Sequence, residues 1–594
     1  MQKKLVITGA MAVIGLAAVA CSIAELEDQV AGNTASKDRQ DNVLSEEVVP
    51  APANGQLPPL TDEMAEPVSR AEAALAPLSA EIDVPQTIAP LSSMKQRAMV
   101  GTVIDHQPPL YRPLPSDDRE RYQNIDANPV KLVSDEPVST FSIDVDTAAY
   151  ANVRRFLKDG MLPPIDAVRI EELINYFDYA YAKPEAPHQP FNADIALFDS
   201  PWDSGSQLLR IGLKGYSIEE AKRPPANLVF LVDTSGSMNS PDKLPLLKRS
   251  FRMLVNQMSA DDRIAIVTYA GSAGVILKPT SGKDKSEILH AIDHFEAGGS
   301  TAGADGIREA YRLAEATFDE EAINRVILAT DGDFNVGLSD PGRLEDYIAG
   351  KRKNGVYLSI LGFGRGNLND LLMQKLAQAG NGNASYIDSL MEAHKVLVDE
   401  IGSTLFPIAN DVKIQIEFNP NEVAEYRLIG YETRMLARED FNNDKVDAGE
   451  IGSGHTVTAL YEITAPDSPS RLVDDQRYGI LKAAASDDPH EGELAWLRLR
   501  YKQPGEDESL LLEQPITTSS RTGFDQAPDE ARFAAAVAGF GQILKQDPNV
   551  EDLDFETVHR IARDARGEDA FGYRSEFLQL IKLAESAEAM QPLN

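Results

Sequence analysis

An apolar run that ends in clustered hydroxyl and carboxyl side chains constrains this chain most. Residues 227–239 read N-L-V-F-L-V-D-T-S-G-S-M-N. The branched residues of Leu228–Val232 are typical of a strand buried on both faces of a parallel sheet. After this strand come three oxygen-bearing side chains at alternating positions, Asp233, Ser235 and Ser237. Oxygen groups gathered at a strand end predict a site for a hard cation.

The residues that follow predict a helix. Ser240-Pro241-Asp242 supplies an N-cap, a proline at the first helical position and an acid in the first turn. From there to about residue 406, apolar strands alternate with amphipathic helices, which is the pattern of a doubly wound sheet.

Two later segments complete a known pattern. The loop at 298–303 reads G-G-S-T-A-G, and R-V-I-L-A-T-D at 325–331 is a second apolar strand that ends in an acid. With the D-x-S-x-S at 233–237, they resemble the metal-ion-dependent adhesion site (MIDAS) of von Willebrand factor type A domains. The resemblance implies five site residues: Ser235, Ser237 and Thr301 as ligands, and Asp233 and Asp331 acting directly or through water.

The expected cofactor is Mg²⁺, with Mn²⁺ and Ca²⁺ as alternatives, because these ions take oxygen ligands and Mg²⁺ keeps several waters. Two carboxylates with no thiol or imidazole argue against zinc. Such an ion keeps net positive character. The resemblance therefore implies a protein partner whose acidic group completes the coordination sphere.

Length and charge narrow the remaining choices. At 594 residues the chain is too long for one domain. Its 57 basic and 93 acidic residues give a net charge of −36, which makes nucleic acid an unlikely electrostatic partner.

The N-terminus predicts export. Lys3 and Lys4 precede an apolar run over 5–20, and Cys21, the sole cysteine of the chain, follows it directly. This layout resembles a bacterial lipobox, with Ala18 where leucine is preferred. Ser22 then implies an outer-membrane lipoprotein of the bacterial envelope, on the periplasmic face or at the cell surface. The alternative is a plain signal peptide or single-span anchor with an incidental cysteine.

These patterns predict an α/β protein in which a doubly wound, Rossmann-like type A domain is inserted between β-rich and helical modules. Strand-like residues 191–214 are expected to pair with the later strands in one sheet, because the ends of an inserted domain commonly lie close together. The expected organisation is a signal peptide at 1–20, a disordered tether at 21–130, an N-terminal module at 131–225, the type A domain at 226–406, a β-rich domain at 407–515 and a helical segment at 516–594.

Several flanking runs resemble one subfamily, the YfbK-like bacterial lipoproteins with a type A domain. The resemblance covers about residues 131–594. The runs are F-S-I-D-V-D-T-A-A-Y-A-N-V-R-R-F at 141–156, A-V-R-I-E-E-L-I-N-Y-F at 167–177, Y-R-L-I-G-Y-E at 426–432, A-G-E-I-G-S-G-H at 448–455 and G-Y-R-S-E-F at 572–577.

Two other polar patterns have simpler interpretations than metal binding. Asp144, Asp146 and Thr147 resemble a metal site but are expected to cap the helix that follows them. His290 and His294 are spaced for chelation, yet they lie opposite an apolar stripe and should face solvent.

A third pattern departs from the calcium loop that it resembles. The acidic run at 440–447 has Lys445 where the EF-hand requires glycine and Ile451 where it requires glutamate. A polar hairpin loop is the expected structure for Asp440, Asn442, Asp444 and Asp447.

The sequence predicts a binding protein and not an enzyme. It contains neither a G-x-S-x-G elbow nor a G-x-x-x-x-G-K-[ST] loop. A hydrolase that uses the metal to activate water is disfavoured because no general base is evident near the site. The expected function is adhesion-like binding of an acidic protein group. The alternative is an envelope assembly factor or scaffold, resembling the type A subunits that work with MoxR-type ATPases.

The anchor makes a first testable prediction. Cys21→Ser should abolish lipid attachment and leave the protein either uncleaved or soluble, because serine cannot carry the thioether-linked lipid. Membrane fractionation and the mobility of the processed chain measure this. A variant that is processed and fractionates as the wild type does would show that the lipobox interpretation is wrong.

Overall fold

The computed structural model describes residues 120–590 apart from 186–187, 220–221, 302, 333–340 and 475–489. The predicted signal peptide, Cys21 and tether residues 21–119 lie outside this part. The strands are β1 (Lys131–Leu132), β2 (Val138–Ser142), β3 (Phe191–Asp199), β4 (Ser206–Gly215), β5 (Ala226–Asp233), β6 (Arg263–Tyr269), β7 (Ala273–Ser281), β8 (Ile323–Thr330), β9 (Val356–Phe363), β10 (Ala384–Ile387), β11 (Pro407–Phe418), β12 (Glu425–Ile429), β13 (Gly449–Gly452), β14 (Thr456–Thr464), β15 (Glu493–Lys502), β16 (Ser509–Thr517) and β17 (Arg521–Thr522).

The helices lie on both sides of the central sheet and at the two ends of the described chain. They are α1 (Ala148–Lys158), α2 (Ile170–Ile174), α3 (Leu244–Gln257), α4 (Lys285–Asp293), α5 (Gly303–Ala316), α6 (Pro341–Lys353), α7 (Asp370–Ala379), α8 (Leu390–His394), α9 (Ile401–Leu405), α10 (Asp529–Lys545), α11 (Phe555–Asp564) and α12 (Tyr573–Ala589).

The central domain is the doubly wound α/β fold that the sequence predicts. Its sheet has the order β10-β9-β8-β5-β6-β7, and every pairing is parallel except that of β7 with β6. All eight residues of β5 are buried, as expected for a strand covered on both faces. Side chains of α3, α4 and α8 form the core on one face, and those of α5, α6 and α7 form it on the other.

The strands that flank the central domain form two sheets. Residues 191–214 pair with a later strand as predicted, but the prediction of a single sheet is wrong. β3 and β4 lie in a sheet of order β1-β12-β14-β4-β3-β17, in which β4 pairs with β14. β11 and β15 belong instead to a second sheet with β2, β13 and β16. The apolar faces of the two sheets, including Ile211 and Ile416, share one core. Two half-apolar sheets bury each other in this way, as in a β-sandwich.

The prediction of a disordered tether up to residue 130 is wrong for its last residues, because residues 120–130 bind the folded part. Glu120 accepts hydrogen bonds from Arg155 at 2.7 Å and from the backbone N–H of Gly366 at 2.9 Å. Further on, Asn128 donates to the carbonyl oxygens of Leu428 and Gly430 at 3.1 and 2.7 Å. Polar hydrogen bonds hold this segment, so a search for apolar periodicity does not find it. Among the residues that the structure describes, no helix is both long and apolar enough to span a bilayer.

A buried arginine joins three parts of the molecule. Arg154 of α1 has no exposed surface. Its guanidinium pairs with Asp388 and with Glu392 of the central domain, the latter at 2.7 Å, and with Glu576 of α12 at 3.1 Å. Arginine suits this position because its planar fork of donors serves several carboxylates at once. The central domain is therefore held firmly by both flanking modules.

This cluster makes a stability prediction. Arg154→Met should destabilise the protein by about 3–5 kcal/mol, because the change leaves buried carboxylates without their counter-charge. Differential scanning calorimetry measures the loss. The matched control is Arg312→Met, since the ion pair of Arg312 with Glu309 lies on the surface, where solvent screens it and it contributes little to stability. Equal shifts in transition temperature for the two variants would contradict the role given to Arg154.

Candidate metal site

The end of β5 brings three of the predicted site residues together. The carboxylate of Asp233 is buried and accepts a hydrogen bond from the backbone N–H of Ser235 at 2.8 Å. The hydroxyl oxygens of Ser235 and Ser237 lie 2.9 Å apart. Ser235 is buried and Ser237 is exposed. The turn therefore aims one carboxylate and two hydroxyls at a common position that solvent reaches.

The loop that carries Thr301 is fastened to this turn by its backbone. The N–H of Gly298 donates to the carbonyl of Thr234 at 2.8 Å, and the N–H of Gly236 donates to the carbonyl of Gly299 at 3.1 Å. Gly299 has a φ of +82°, a left-handed conformation that favours glycine. Thr301 lies two residues further on, half-buried, shortly before α5. The loop thus places Thr301 beside the turn.

Asp331 reaches the same edge because β8 runs parallel to β5, with Val232 paired to Ala329. It is the residue directly after β8 and is buried. Thr330, the last residue of β8, donates to the carboxylate of Asp233 at 3.4 Å. Because parallel strands end at the same side of a sheet, the two predicted aspartates meet there.

The electrostatics of Asp233 suit the binding of a cation. The pKa of this carboxyl is raised to about 6, mainly by burial and also by the charge of Asp331, against the lowering effect of the hydrogen bond from the Ser235 N–H. A cation between the two carboxylates would favour their ionised forms. The hydroxyl of Tyr269 also donates to Asp233, at 3.2 Å, and so fixes its orientation.

The donor set suits Mg²⁺, Mn²⁺ or Ca²⁺. All five groups are oxygens, three of them neutral hydroxyls, and oxygen ligands are those that hard divalent cations prefer. Within the described chain there is no cluster of three or more His, Cys, Asp or Glu side chains that could hold a metal. The proposed site is not such a cluster, because it contains three hydroxyls and only two carboxylates. The residues present therefore fit the ion that the resemblance implies.

Sequence reasoning missed two polar neighbours of Asp331. The ammonium of Lys243 lies 2.9 Å from a carboxylate oxygen of Asp331, and the side-chain amide of Asn367 donates to the same oxygen at 3.1 Å. The helix predicted to start at Ser240 begins at Leu244, so Lys243 lies in the preceding turn. Lys243 and Asp331 are 88 positions apart, and no local pattern indicates such a pair.

The predicted capping role of Asp144 and Asp146 is wrong. The helix after them, α1, has Thr147 at its N-cap without a side-chain hydrogen bond. Both carboxylates instead pair with Arg434, at 2.9 and 3.0 Å. Asp146 also accepts from the backbone N–H of Ala384 in the central domain at 2.8 Å. The two carboxylates bind Arg434 and not the N-terminus of α1, because a charged partner binds more strongly than a backbone amide.

Of the other two polar patterns, the histidines face solvent as predicted, whereas the 440–447 loop is not a hairpin loop, because it connects β12 of one sheet with β13 of the other. His290 and His294 are exposed, and a ring nitrogen of His294 contacts the carbonyl of His290. In the 440–447 segment, Asp444 pairs with Arg500 at 2.9 Å and Asp447 pairs with Arg352 at 2.5 Å. Arginines therefore already neutralise these two carboxylates.

The fold and the oxygen-ligand arrangement together define a von Willebrand factor type A domain. The family of that description matches residues 227–399, and the family described as von Willebrand factor matches 116–210. Residues 403–587 match the family described as uncharacterized protein YfbK, C-terminal. The chain is 45% identical over 471 residues to uncharacterized protein YfbK of Escherichia coli K12, covering 78% of this chain and 81% of that protein. The chain belongs to the YfbK family.

Two solved structures match parts of the chain at low overall similarity. A von Willebrand factor type A protein from Catenulispora acidiphila covers 68% of this chain and 91% of its own, with 14% identity and a TM-score of 0.38. Proximal thread matrix protein 1 from the mussel byssus, with a zinc-occupied MIDAS motif, covers 30% of this chain and 44% of its own, with 30% identity and a TM-score of 0.25. Type A domains mediate protein–protein interactions and are generally not enzymes.

Proposed function

We propose that the protein is a lipid-anchored binding protein of the bacterial envelope that uses a divalent cation to bind an acidic group on a protein partner. The cation is Mg²⁺, with Mn²⁺ and Ca²⁺ as alternatives. Ser235, Ser237 and Thr301 would hold it, and Asp233 and Asp331 would act directly or through water. The anchor would be the lipidated Cys21, in the outer membrane.

The observation that carries the proposal is the convergence of this oxygen set at one edge of the central sheet. The Ser235 and Ser237 hydroxyls are 2.9 Å apart, and backbone hydrogen bonds fasten the Thr301 loop to the turn that bears them. A pair of hydroxyls in a strand–helix turn contributes little to the stability of the fold. Mg²⁺ bound there would keep exchangeable water, whose place a carboxylate of a partner can take.

Charge supports an acidic ligand. The two carboxylates balance the charge of a divalent ion but do not exceed it, and the remaining ligands are neutral. With a net charge of −36 on the chain, the cation would be a local positive feature on a surface that otherwise repels acids. Binding would then depend on the metal, which attracts the partner's acidic group to this face.

A second candidate function is that of an envelope assembly factor or scaffold. The observation in its favour is the buried clamp of Arg154, which ties the central domain to α1 and α12. Simple adhesion does not require a type A domain to be built into larger flanking modules. A scaffold does require such an arrangement, since its partners would bind several faces of the protein whose relative positions must stay fixed.

The metal proposal is tested by two site variants. Thr301→Ala should weaken Mg²⁺ binding about tenfold, and Asp331→Asn should weaken it more, since a charge near a divalent ion contributes more than a neutral ligand. Asparagine is used because it keeps a hydrogen-bonding partner for Lys243. Isothermal titration calorimetry measures Mg²⁺ affinity, and crosslinking capture with and without Mg²⁺ measures partner binding.

Matched controls come from the same domain. Thr280→Ala removes an exposed hydroxyl bonded to the carbonyl of Lys278, and Asp305→Asn neutralises an exposed carboxylate on α5. Neither control should change Mg²⁺ affinity. Unchanged affinity in folded Asp331→Asn would overturn the metal site. Intact Mg²⁺ binding with partner capture that ignores Mg²⁺ would favour the scaffold function instead.

A further inference from the structure

Lys243 adds a fixed positive charge to the proposed metal site. Its side chain is 6% exposed, and its ammonium lies 2.9 Å from Asp331 and 3.4 Å from the side-chain oxygen of Asn367. An ammonium next to a metal-site carboxylate is unfavourable for metal binding. It repels the cation, and it partly neutralises the carboxylate charge that would attract the cation. A lysine at an exposed position away from Asp331 would not weaken metal binding in this way.

The chain makes room for this lysine. Gly364 has a φ of +78°, and a Cβ atom added there would lie 2.2 Å from Cγ of Lys243. The carbonyl of Gly364 accepts a hydrogen bond from the buried hydroxyl of Tyr386 at 2.7 Å, which holds the backbone in position. The methylenes of Lys243 therefore run against bare backbone, and the ammonium has a defined place beside Asp331.

We propose, on the basis of the metal-dependent function above, that Lys243 makes the binding of cation and acidic ligand interdependent. With Lys243 in place, a divalent ion and an ammonium (three positive charges) face two carboxylates, so the loaded site has a net charge of +1. The cation is then held firmly only when an acidic group of the partner supplies the missing negative charge. Lys243 is a positioning and affinity-setting residue and not a metal ligand.

Linkage gives this inference a measurable form. If an acidic ligand raises Mg²⁺ affinity by some factor, Mg²⁺ raises the affinity of that ligand by the same factor. That coupling factor should be large in the wild type, where the loaded site has excess positive charge. It should shrink when Lys243 is neutralised, because two carboxylates then balance the divalent ion.

The test compares Lys243→Met with the wild-type protein by calorimetric Mg²⁺ titration. Methionine keeps the stem that packs against Gly364 and removes the charge. Lys243→Met should bind Mg²⁺ about tenfold more tightly than the wild type in the absence of an acidic ligand. An N-acetylated hexaglutamate peptide should raise Mg²⁺ affinity less in the variant than in the wild type, with a protein-free titration correcting for chelation by the peptide.

Thermal unfolding supplies a readout that does not depend on the peptide. Without metal, Lys243→Met should have a lower transition temperature, since Asp331 loses its counter-charge. Mg²⁺ should therefore raise the transition temperature of Lys243→Met more than that of the wild type. Lys243→Gln, which can still donate to Asp331, should change Mg²⁺ affinity in the same direction and provides a second variant if Lys243→Met does not fold.

Two controls keep the charge or move the change elsewhere. Lys243→Arg retains the positive charge and should keep the wild-type coupling. Lys248→Met alters a lysine of α3, the helix that follows Lys243; it donates to the carbonyl of Asp293, away from the site, and the variant should behave as the wild type.

Each outcome has one meaning. If the wild type binds Mg²⁺ and neither neutral variant binds it more tightly, the inference about Lys243 is overturned while the metal site stands. If the wild type binds no Mg²⁺, both the proposed function and this inference fail. Tighter Mg²⁺ binding by both neutral variants, with reduced peptide coupling, supports the inference.

Discussion

The buried guanidinium of Arg154 is the interaction on which the arrangement of the modules depends. It pairs with two acids of the central domain and one of α12, while α1 also packs against the edge of the central sheet. Further buried pairs act in the same way, such as Arg169 with Asp370 at the start of α7. Replacing one partner in such a cluster costs far more than an exposed ion pair contributes. The type A domain is thus part of a larger body and not a module on a flexible stalk.

The position of the metal site follows from the sheet. β5 is buried along its whole length, so its end is fixed, and β8 runs parallel beside it. Asp233 and the Asp331 that follows β8 therefore meet at one edge, where the Thr301 loop joins them through backbone hydrogen bonds. Glu120, the first residue that the structure describes, also lies near this edge. Glu120 bonds to the N–H of Gly366, and the neighbouring Asn367 contacts Asp331.

Sequence patterns predicted what depends on local order, such as the run of β5, the D-x-S-x-S turn and the alternation of the central domain. They did not predict contacts between distant residues. Asp144 and Asp146 were expected to cap α1, but both pair with Arg434, which is 290 positions from Asp144 and 288 from Asp146. The flanking strands were recognised as strands, but alternation within a strand does not state which sheet it joins, so one sheet was expected where two pack face to face. Lys243 was missed for the same reason, since its partner follows a different strand.

The most direct test of the central claim is X-ray diffraction from crystals of the protein grown with Mn²⁺, whose anomalous signal locates the metal. The account predicts a peak in contact with the hydroxyl oxygens of Ser235, Ser237 and Thr301, with Asp233 and Asp331 bound directly or through water. Mn²⁺ bound only elsewhere on the molecule, with no peak among these residues, would contradict it.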